Sequence, residues 1–330
     1  MKILTATGER LAGGVVSALL RAGCEVPAVI SPYQGVYRTQ CQGLPFWRYD
    51  LAGWDIGNVC RRKDIPIRVA RRLDQGDIHA FVRHCGADLL LVFGWPHLIP
   101  SKTVQLFPHG GINVHPSRLP LLRGADPIFS VVDEQAPGFG ISIHRLEDEL
   151  DGGAIYHQQN LARIEGGTYD DHYARFIAVV PEAVTKVVEM IRAGIEPTPQ
   201  SGAVTEAIKF RPRMRLLKLD EPPAALIRRT QACHAHHPRV AGCDSFLFSF
   251  KQCWPLPAMP EKQPNGTVIG AGLWQVSVFI GGAPMLLSGV RVLDQPIWQT
   301  PRLLKQVLQP GKRLLPYETL RNRVKAAAKK

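Results

Sequence analysis

Through the first half of the chain, short apolar runs alternate with stretches of helical periodicity. Residues 2–6 read as a first strand and residues 8–22 as a helix behind it. Further strands are expected at residues 25–31, 65–70, 87–93 and 111–115, with helix-like spacing between the later ones, for example at 78–84. This alternation predicts an α/β domain whose sheet is mostly parallel and covered by helices on both faces. Residues 141–146 and 154–162 read as two more strands around a turn at Asp151. The strongest helix prediction is 168–193, where Phe176, Val179, Val180, Val184, Val187, Val188 and Ile191 trace one apolar face and Gly194 supplies a stop.

Past Pro197 the texture changes. Residues 199–223 are rich in proline and basic side chains and read as a linker, followed by a short helix at 224–232. Short β-type runs then appear at 245–250, 267–269, 275–280 and 284–292, a spacing that suggests a small barrel or sandwich. Two domains are expected, 1–205 and 206–330.

Composition narrows the setting. With 330 residues, 45% of them hydrophobic, the chain can bury a sizeable core. No apolar run approaches a membrane span, and the first residues lack the apolar stretch of a signal peptide, so a soluble cytoplasmic protein is expected. Seven cysteines occur without a Cys-x-x-Cys pair, which fits a reducing compartment. The net charge of +12 favours anionic partners. It reads as distributed, densest at 61–63, at 71–72, in Lys209, Arg211, Arg213, Arg215 and Lys218, and at 325–330.

Candidate chemistry concentrates at Gly111-Ile112-Asn113-Val114-His115-Pro116-Ser117-Arg118-Leu119-Pro120 and at Leu150-Asp151-Gly152-Gly153-Ala154-Ile155. An amide, an imidazole and a carboxylate each sit beside turn residues at the ends of apolar runs, where open α/β sheets place their ligands. Taken as residue types, Asn113 and His115 read equally well as satisfied polar groups at a strand end. Other motifs are weaker. The glycines of residues 7–14 match neither a dinucleotide fingerprint nor a P-loop, and Ser117 is not in a nucleophile elbow. Cys233-His234-Ala235-His236-His237 has no second ligand cluster, so no metal is expected. The aromatics Phe46, Trp47, Tyr49 and Trp54 read as core or as a binding wall.

Around Asn113-x-His115 and Asp151 the chain resembles the 10-formyltetrahydrofolate-dependent formyltransferases. The family pattern Asn-x-His-x-Ser-Leu-Leu-Pro-x-Tyr-Arg-Gly, followed by Asp-x-Gly-x-Ile, is similar to residues 113–124 and 151–155. The resemblance implies a Rossmann-like formyltransferase domain followed by a small OB-like domain. It implies Asn113, His115 and Asp151 as catalytic residues. It further implies a folate site formed by His97, Leu98 and Ile99, by Ser117, Leu119 and Pro120, and by Glu147, Asp148, Glu149 and Leu150. Arg118 and Leu122 depart from the pattern, as does the absence of the Asp-Trp that usually opens the second domain.

Such a reaction suits these residues. Formyl transfer from N10 of the folate to an amine passes through an oxyanion, which the Asn113 amide or a protonated His115 would stabilise. His115 would accept the amine proton, and Asp151 would orient the ring and favour its charged form. The expected co-substrate is 10-formyltetrahydrofolate, with no metal. The best acceptor is the amino group of methionyl-tRNA, for which Arg211, Arg213, Arg215 and Lys218 would contact phosphates. An amino-sugar nucleotide or other small amine is the alternative, and a non-catalytic RNA-binding relative a more remote one.

Overall fold

The computed structural model describes residues 1–33, 53–233 and 238–327, which fall into two compact units. The first comprises Met1–Val131, Ala136–Gly166 and Asp170–Lys209; the second comprises Val132–Gln135, Gly167–Tyr169 and Phe210–Lys330.

The first unit contains β1 (Ile3–Thr7), α1 (Gly13–Arg21), β2 (Val29–Ser31), α2 (Ile56–Arg62), β3 (Ile67–Val69), α3 (Gly76–Cys85) and β4 (Leu89–Phe93). It continues with α4 (Ser101–Val104), β5 (Gly111–His115), α5 (Pro127–Asp133), β6 (Gly140–Arg145), β7 (Ile155–Asn160) and α6 (Tyr169–Arg192). The seven strands form one sheet in the order β3-β2-β1-β4-β5-β6-β7. Pairing is parallel from β3 through β5 and antiparallel at β5–β6 and β6–β7. Strand order reverses direction between β1 and β4, the place where open sheets of this kind form a crevice at their carboxyl ends.

Apolar runs, interrupted in β1 only by Thr5 and Thr7, place β1 and β4 at the centre, because a parallel strand covered on both faces is predominantly apolar. All of β4 is buried, as are all five residues of β1. The strands expected at 25–31 and 65–70 shorten to three residues each. Pro27 and Pro66 stand just ahead of them and donate no ladder hydrogen bond. On α6, Phe176, Val180, Val184, Val187, Val188 and Ile191 are buried as expected, while Val179 is only half-buried and Ile177 takes a core position. At Gly14 the α1 backbone lies against Trp54: a Cβ there would stand 2.3 Å from the indole Cε3. Trp54 packs on α1 here and also lines a cavity of ≈ 760 Å³ with Arg21 and Lys186, so both core and wall readings hold for it. Phe46, Trp47 and Tyr49 lie outside the described residues.

The segment read as a linker is ordered at its start. The Arg123 N–H donates to the Thr205 carbonyl and the Arg123 carbonyl accepts from the Ala207 N–H, the Thr205 hydroxyl accepts from the Leu122 N–H at 2.9 Å, and the Ser130 hydroxyl accepts from the Ile208 N–H at 2.7 Å.

The second unit contains α7 (Pro223–Cys233), β8 (Arg239–Gly242), β9 (Leu247–Phe250), β10 (Gln252–Pro255), β11 (Val268–Ala271), β12 (Gln275–Ile280) and β13 (Ala283–Ser288). After β14 (Arg291–Val292) come α8 (Thr300–Val307) and α9 (Tyr317–Ala327). Two antiparallel sheets, β10-β13-β12-β11 and β14-β9-β8, share one apolar core that includes Leu226, Phe248, Val278, Met285 and Leu287. The run expected at 284–292 is two strands rather than one, divided at Gly289. His234, His236 and His237 lie outside the described residues.

The basic charge is not spread along the chain as first read. Residues 210–330 hold 19 Lys and Arg against 6 Asp and Glu, whereas residues 1–209 hold 21 against 22.

Candidate active site

β5 ends the parallel part of the sheet with alternating side chains, so Asn113 and His115 point to the same face. β6 runs antiparallel beside it and pairs His144 with Asn113. Asp151 reaches the same place from the β6–β7 turn, where its backbone takes the left-handed conformation at φ +50. Residues far apart in sequence therefore converge on one carboxylate.

Oδ1 of Asp151 accepts from Asn113 Nδ2 at 3.3 Å and lies 3.4 Å from His144 Nε2. Oδ2 accepts the Gly124 N–H at 2.9 Å and lies 3.6 Å from His115 Nδ1. Asn113 Nδ2 is also 3.2 Å from His144 Nε2. His115, His144 and Asp151 are buried and Asn113 is half-buried.

Backbone carbonyls determine where the ring protons sit. His115 Nε2 lies 2.9 Å from the Leu122 carbonyl, and His144 Nδ1 lies 2.8 Å from the Arg145 carbonyl. A carbonyl only accepts, so both of these nitrogens carry hydrogen. The basic nitrogen of His115 is therefore Nδ1, on the side of Asp151.

Burial pushes the His115 imidazole below its ordinary pKa, a shift that the Asp151 carboxylate and the Leu122 carbonyl only partly offset. Burial would raise Asp151, but the His115 and His144 imidazoles and the Gly124 N–H outweigh it and hold the carboxyl well below the usual carboxylate range. Asp151 is thus the charged member and His115 a neutral one. Asp151 does favour the protonated form of His115, as expected, but desolvation of the ring outweighs it.

The turn carrying Asp151 is anchored by Gln200, whose Nε2 donates to the carbonyls of Asp151 (2.7 Å) and Gly153 (2.8 Å). Arg123 in turn donates to Gln200 and to Glu149. His144 and Gln200 are the two members of this network that sequence reasoning missed. His144 follows an apolar strand without any turn residue beside it, and Gln200 lies in a segment read as linker.

The residues expected around a folate divide into two groups. Glu147, Asp148 and Glu149 line a cavity of ≈ 500 Å³ together with Val104 and Leu146. Leu98 and Leu150 are exposed, His97 is half-buried and Ile99 is buried. Ser117, Leu119 and Pro120 are buried as loop framework. The Ser117 hydroxyl donates to the Leu121 carbonyl at 2.7 Å, and the Leu119 N–H donates to the Ser142 hydroxyl at 3.1 Å. Among the described residues no group of three or more His, Cys, Asp or Glu side chains is placed to hold a metal ion.

Residues 55–188, which carry this entire cluster except Gln200, match the formyl transferase family model. Among curated relatives is the methionyl-tRNA formyltransferase of Janthinobacterium sp. (strain Marseille), 26% identical over 280 residues, spanning 82% of this chain and 86% of the relative. The methionyl-tRNA formyltransferase of Anaeromyxobacter sp. (strain K) is 31% identical over 144 residues, 43% of this chain and 46% of the relative. Among solved structures, HypX from Aquifex aeolicus in complex with tetrahydrofolic acid superimposes with a TM-score of 0.62 at 14% identity, covering 94% of this chain. The chain spans about half the length of HypX, 48%. WlaRD, a sugar 3N-formyl transferase, superimposes with a TM-score of 0.57 at 13% identity over 90% of this chain and 99% of WlaRD. These two likenesses concern the fold. No helix among the described residues is long and apolar enough to cross a membrane.

Proposed function

We propose that this chain transfers a formyl group from 10-formyltetrahydrofolate to a primary amine, and that the acceptor is the amino group of methionyl-tRNA. The observation that supports the reaction best is the convergence of Asn113, His115 and Asp151 on one buried centre within the family-matched segment. The cavity at Val104, Leu146 and Glu147–Glu149 suits a flat heterocycle, with apolar walls for its faces and carboxylates for its N–H groups. The bound folate supplies the formyl group as electrophile.

In this reading Nδ1 of neutral His115 takes the proton the amine must lose, and the imidazolium formed is stabilised by the Asp151 carboxylate beside it. The same nitrogen returns the proton to N10 as the carbon–nitrogen bond to the folate breaks. Asn113 is the half-buried member and the oxyanion donor. Its contacts at 3.2 and 3.3 Å are at the long end of the hydrogen-bond range, so one amide hydrogen turns readily to a developing oxyanion. His144 positions Asn113 and Asp151.

The names of the curated relatives favour tRNA, and so does the charge of residues 210–330. An excess of 13 positive charges in that segment suits a polyphosphate acceptor better than a small amine. Arg211, Arg213 and Lys218 are exposed there, with Arg215 half-buried. We assign residues 1–205 as the catalytic domain, 206–330 as linker and OB-like domain, and the cytoplasm as the compartment. The test is incubation with labelled 10-formyltetrahydrofolate and a panel of methionyl-tRNA and amino-sugar nucleotides, read by mass. Formyl-methionyl-tRNA is the expected product. Formylated amino sugar alone would overturn the acceptor, and no formylated product would overturn the reaction.

A further inference from the structure

The second unit holds an arrangement that formyl transfer does not use. Arg239, the first residue of β8, is 1% exposed and ranks with the largest fully buried side chains. Its Nη2 donates to Glu221 Oε2 at 2.7 Å, and its Nε donates to the Arg215 carbonyl at 3.2 Å. Nη1 has no hydrogen-bond partner among the described residues, although a buried guanidinium nitrogen without one is costly. The residue lines a cavity of ≈ 360 Å³, whose other charged walls are Arg213, Lys218, Asp220, Glu221 and Arg229. That volume is far above the roughly 10–15 Å³ a single water needs.

Of the four cationic side chains lining the cavity, Arg229 is paired with Asp133 outside the lining, which leaves Arg213, Lys218 and Arg239 against the two lining carboxylates, Asp220 and Glu221. One of the carboxylates is already paired with Arg239. Lys218 is held over the Tyr317 ring, with Nζ 5.5 Å from its centre, which places the ammonium at the rim. A fork-shaped donor at the base and mobile cations at the mouth is the arrangement that binds a tetrahedral oxyanion, since such an ion accepts from several directions at once.

We propose that this cavity is a phosphate-binding site, with Arg239 Nη1 as the buried donor and Arg213 and Lys218 as the closing cations. The site lies wholly in the second unit and shares Arg213 and Lys218 with the cations offered above for a polyphosphate acceptor, but its test needs no catalysis. The phosphate group comes either from a small metabolite or from an RNA backbone.

The full chain is titrated calorimetrically with inorganic phosphate, with acetate as a carboxylate control, at constant ionic strength. Saturable phosphate binding, with acetate much weaker, is expected. Affinity should fall about tenfold in Arg213→Ala/Lys218→Ala, the effect of losing charge-assisted contacts. It should fall at least as far in Arg239→Lys, which keeps a charge for Glu221 but loses the fork. The rim variant keeps the test valid if the buried one does not fold. Displacement of phosphate by a short RNA assigns the site to backbone phosphate, and persistence of phosphate under RNA assigns it to a small ligand; either outcome supports the site. No saturable binding, acetate binding as tightly, or unchanged affinity in the rim variant would overturn it.

Discussion

The Tyr173 hydroxyl lies 2.7 Å from Oε2 of Glu9 and donates to it, joining α6 to the residue just beyond β1. Burial pushes the Glu9 carboxyl up to about 7, against the lowering effect of this hydrogen bond. Below pH 4.5 the group is protonated in both folded and unfolded chains. Between about 4.5 and 7 the unfolded chain releases a proton that the folded one keeps, so stability falls as pH rises through that window and is flat above it. Glu9→Gln should remove this slope. Denaturant unfolding at pH 4.5 and pH 8 should show the variant gaining about 3 kcal/mol relative to wild type between the two. An equal difference at both pH values would refute a buried neutral acid.

Gly94 makes room for that same carboxylic acid. Its φ is +62, and a Cβ there would stand 2.4 Å from the Glu9 Cγ. Gly94→Ala should cost on the order of 2 kcal/mol, from the left-handed conformation and the overlap together. In a Glu9→Ala background the overlap disappears and only the conformational part remains. A double-mutant cycle should therefore show coupling, and strict additivity would contradict the contact.

Much of the sheet was legible because β4 is apolar throughout and β1 is broken only by two threonines, a pattern that parallel strands share with few other elements. The prolines that shorten β2 and β3 were visible too, but their effect depends on which ladder bonds the neighbours need. Turn residues drew notice to Asn113, His115 and Asp151, and the family resemblance is what grouped them. His144 did not, because a histidine within a strand takes its role from the strand opposite. The neutral state of His115 was equally hidden, since desolvation depends on everything packed around the ring.

Asp151→Asn should reduce formyl transfer by on the order of 10²–10⁴-fold while the chain stays folded, because the ring loses the carboxylate that stabilises its charged form. The same variant bears on acid stability. Asp151 is held below its ordinary 3.8, so its stabilisation is present above that value and is lost as pH falls through the folded one. Wild type should lose stability on acidification below about pH 4 more steeply than the variant, as read by circular dichroism.

His115 must be neutral to accept a proton, and burial keeps it so below its ordinary 6.5. The acid limb of kcat/KM for the acceptor should therefore lie below pH 6.5, and His115→Gln should abolish it together with the activity. A limb above pH 7 would mean that the ring binds its proton more tightly than its surroundings allow.

Gln200→Ala leaves the carbonyls of Asp151 and Gly153 without their donor. A loss of about 1–3 kcal/mol in stability is expected. Looser placement of Asp151 should lower kcat with little change in KM for either substrate. A KM effect alone would place Gln200 in substrate binding instead.

The pairing of Asn113 with His144 rests on an unbroken β5–β6 register, while the shift at Ile143 and His144 is confined to the pairing of β6 with β7. Side chains alternate along a strand, so moving β6 by one residue would turn His144 away and bring Ile143 or Arg145 opposite Asn113. Such a molecule could remain compact, with the apolar interior of β1 and β4 undisturbed, and still be chemically inert. Specific activity in a refolded preparation would then count the fraction of molecules with this one strand pair aligned, a quantity that melting curves and overall helix content would miss.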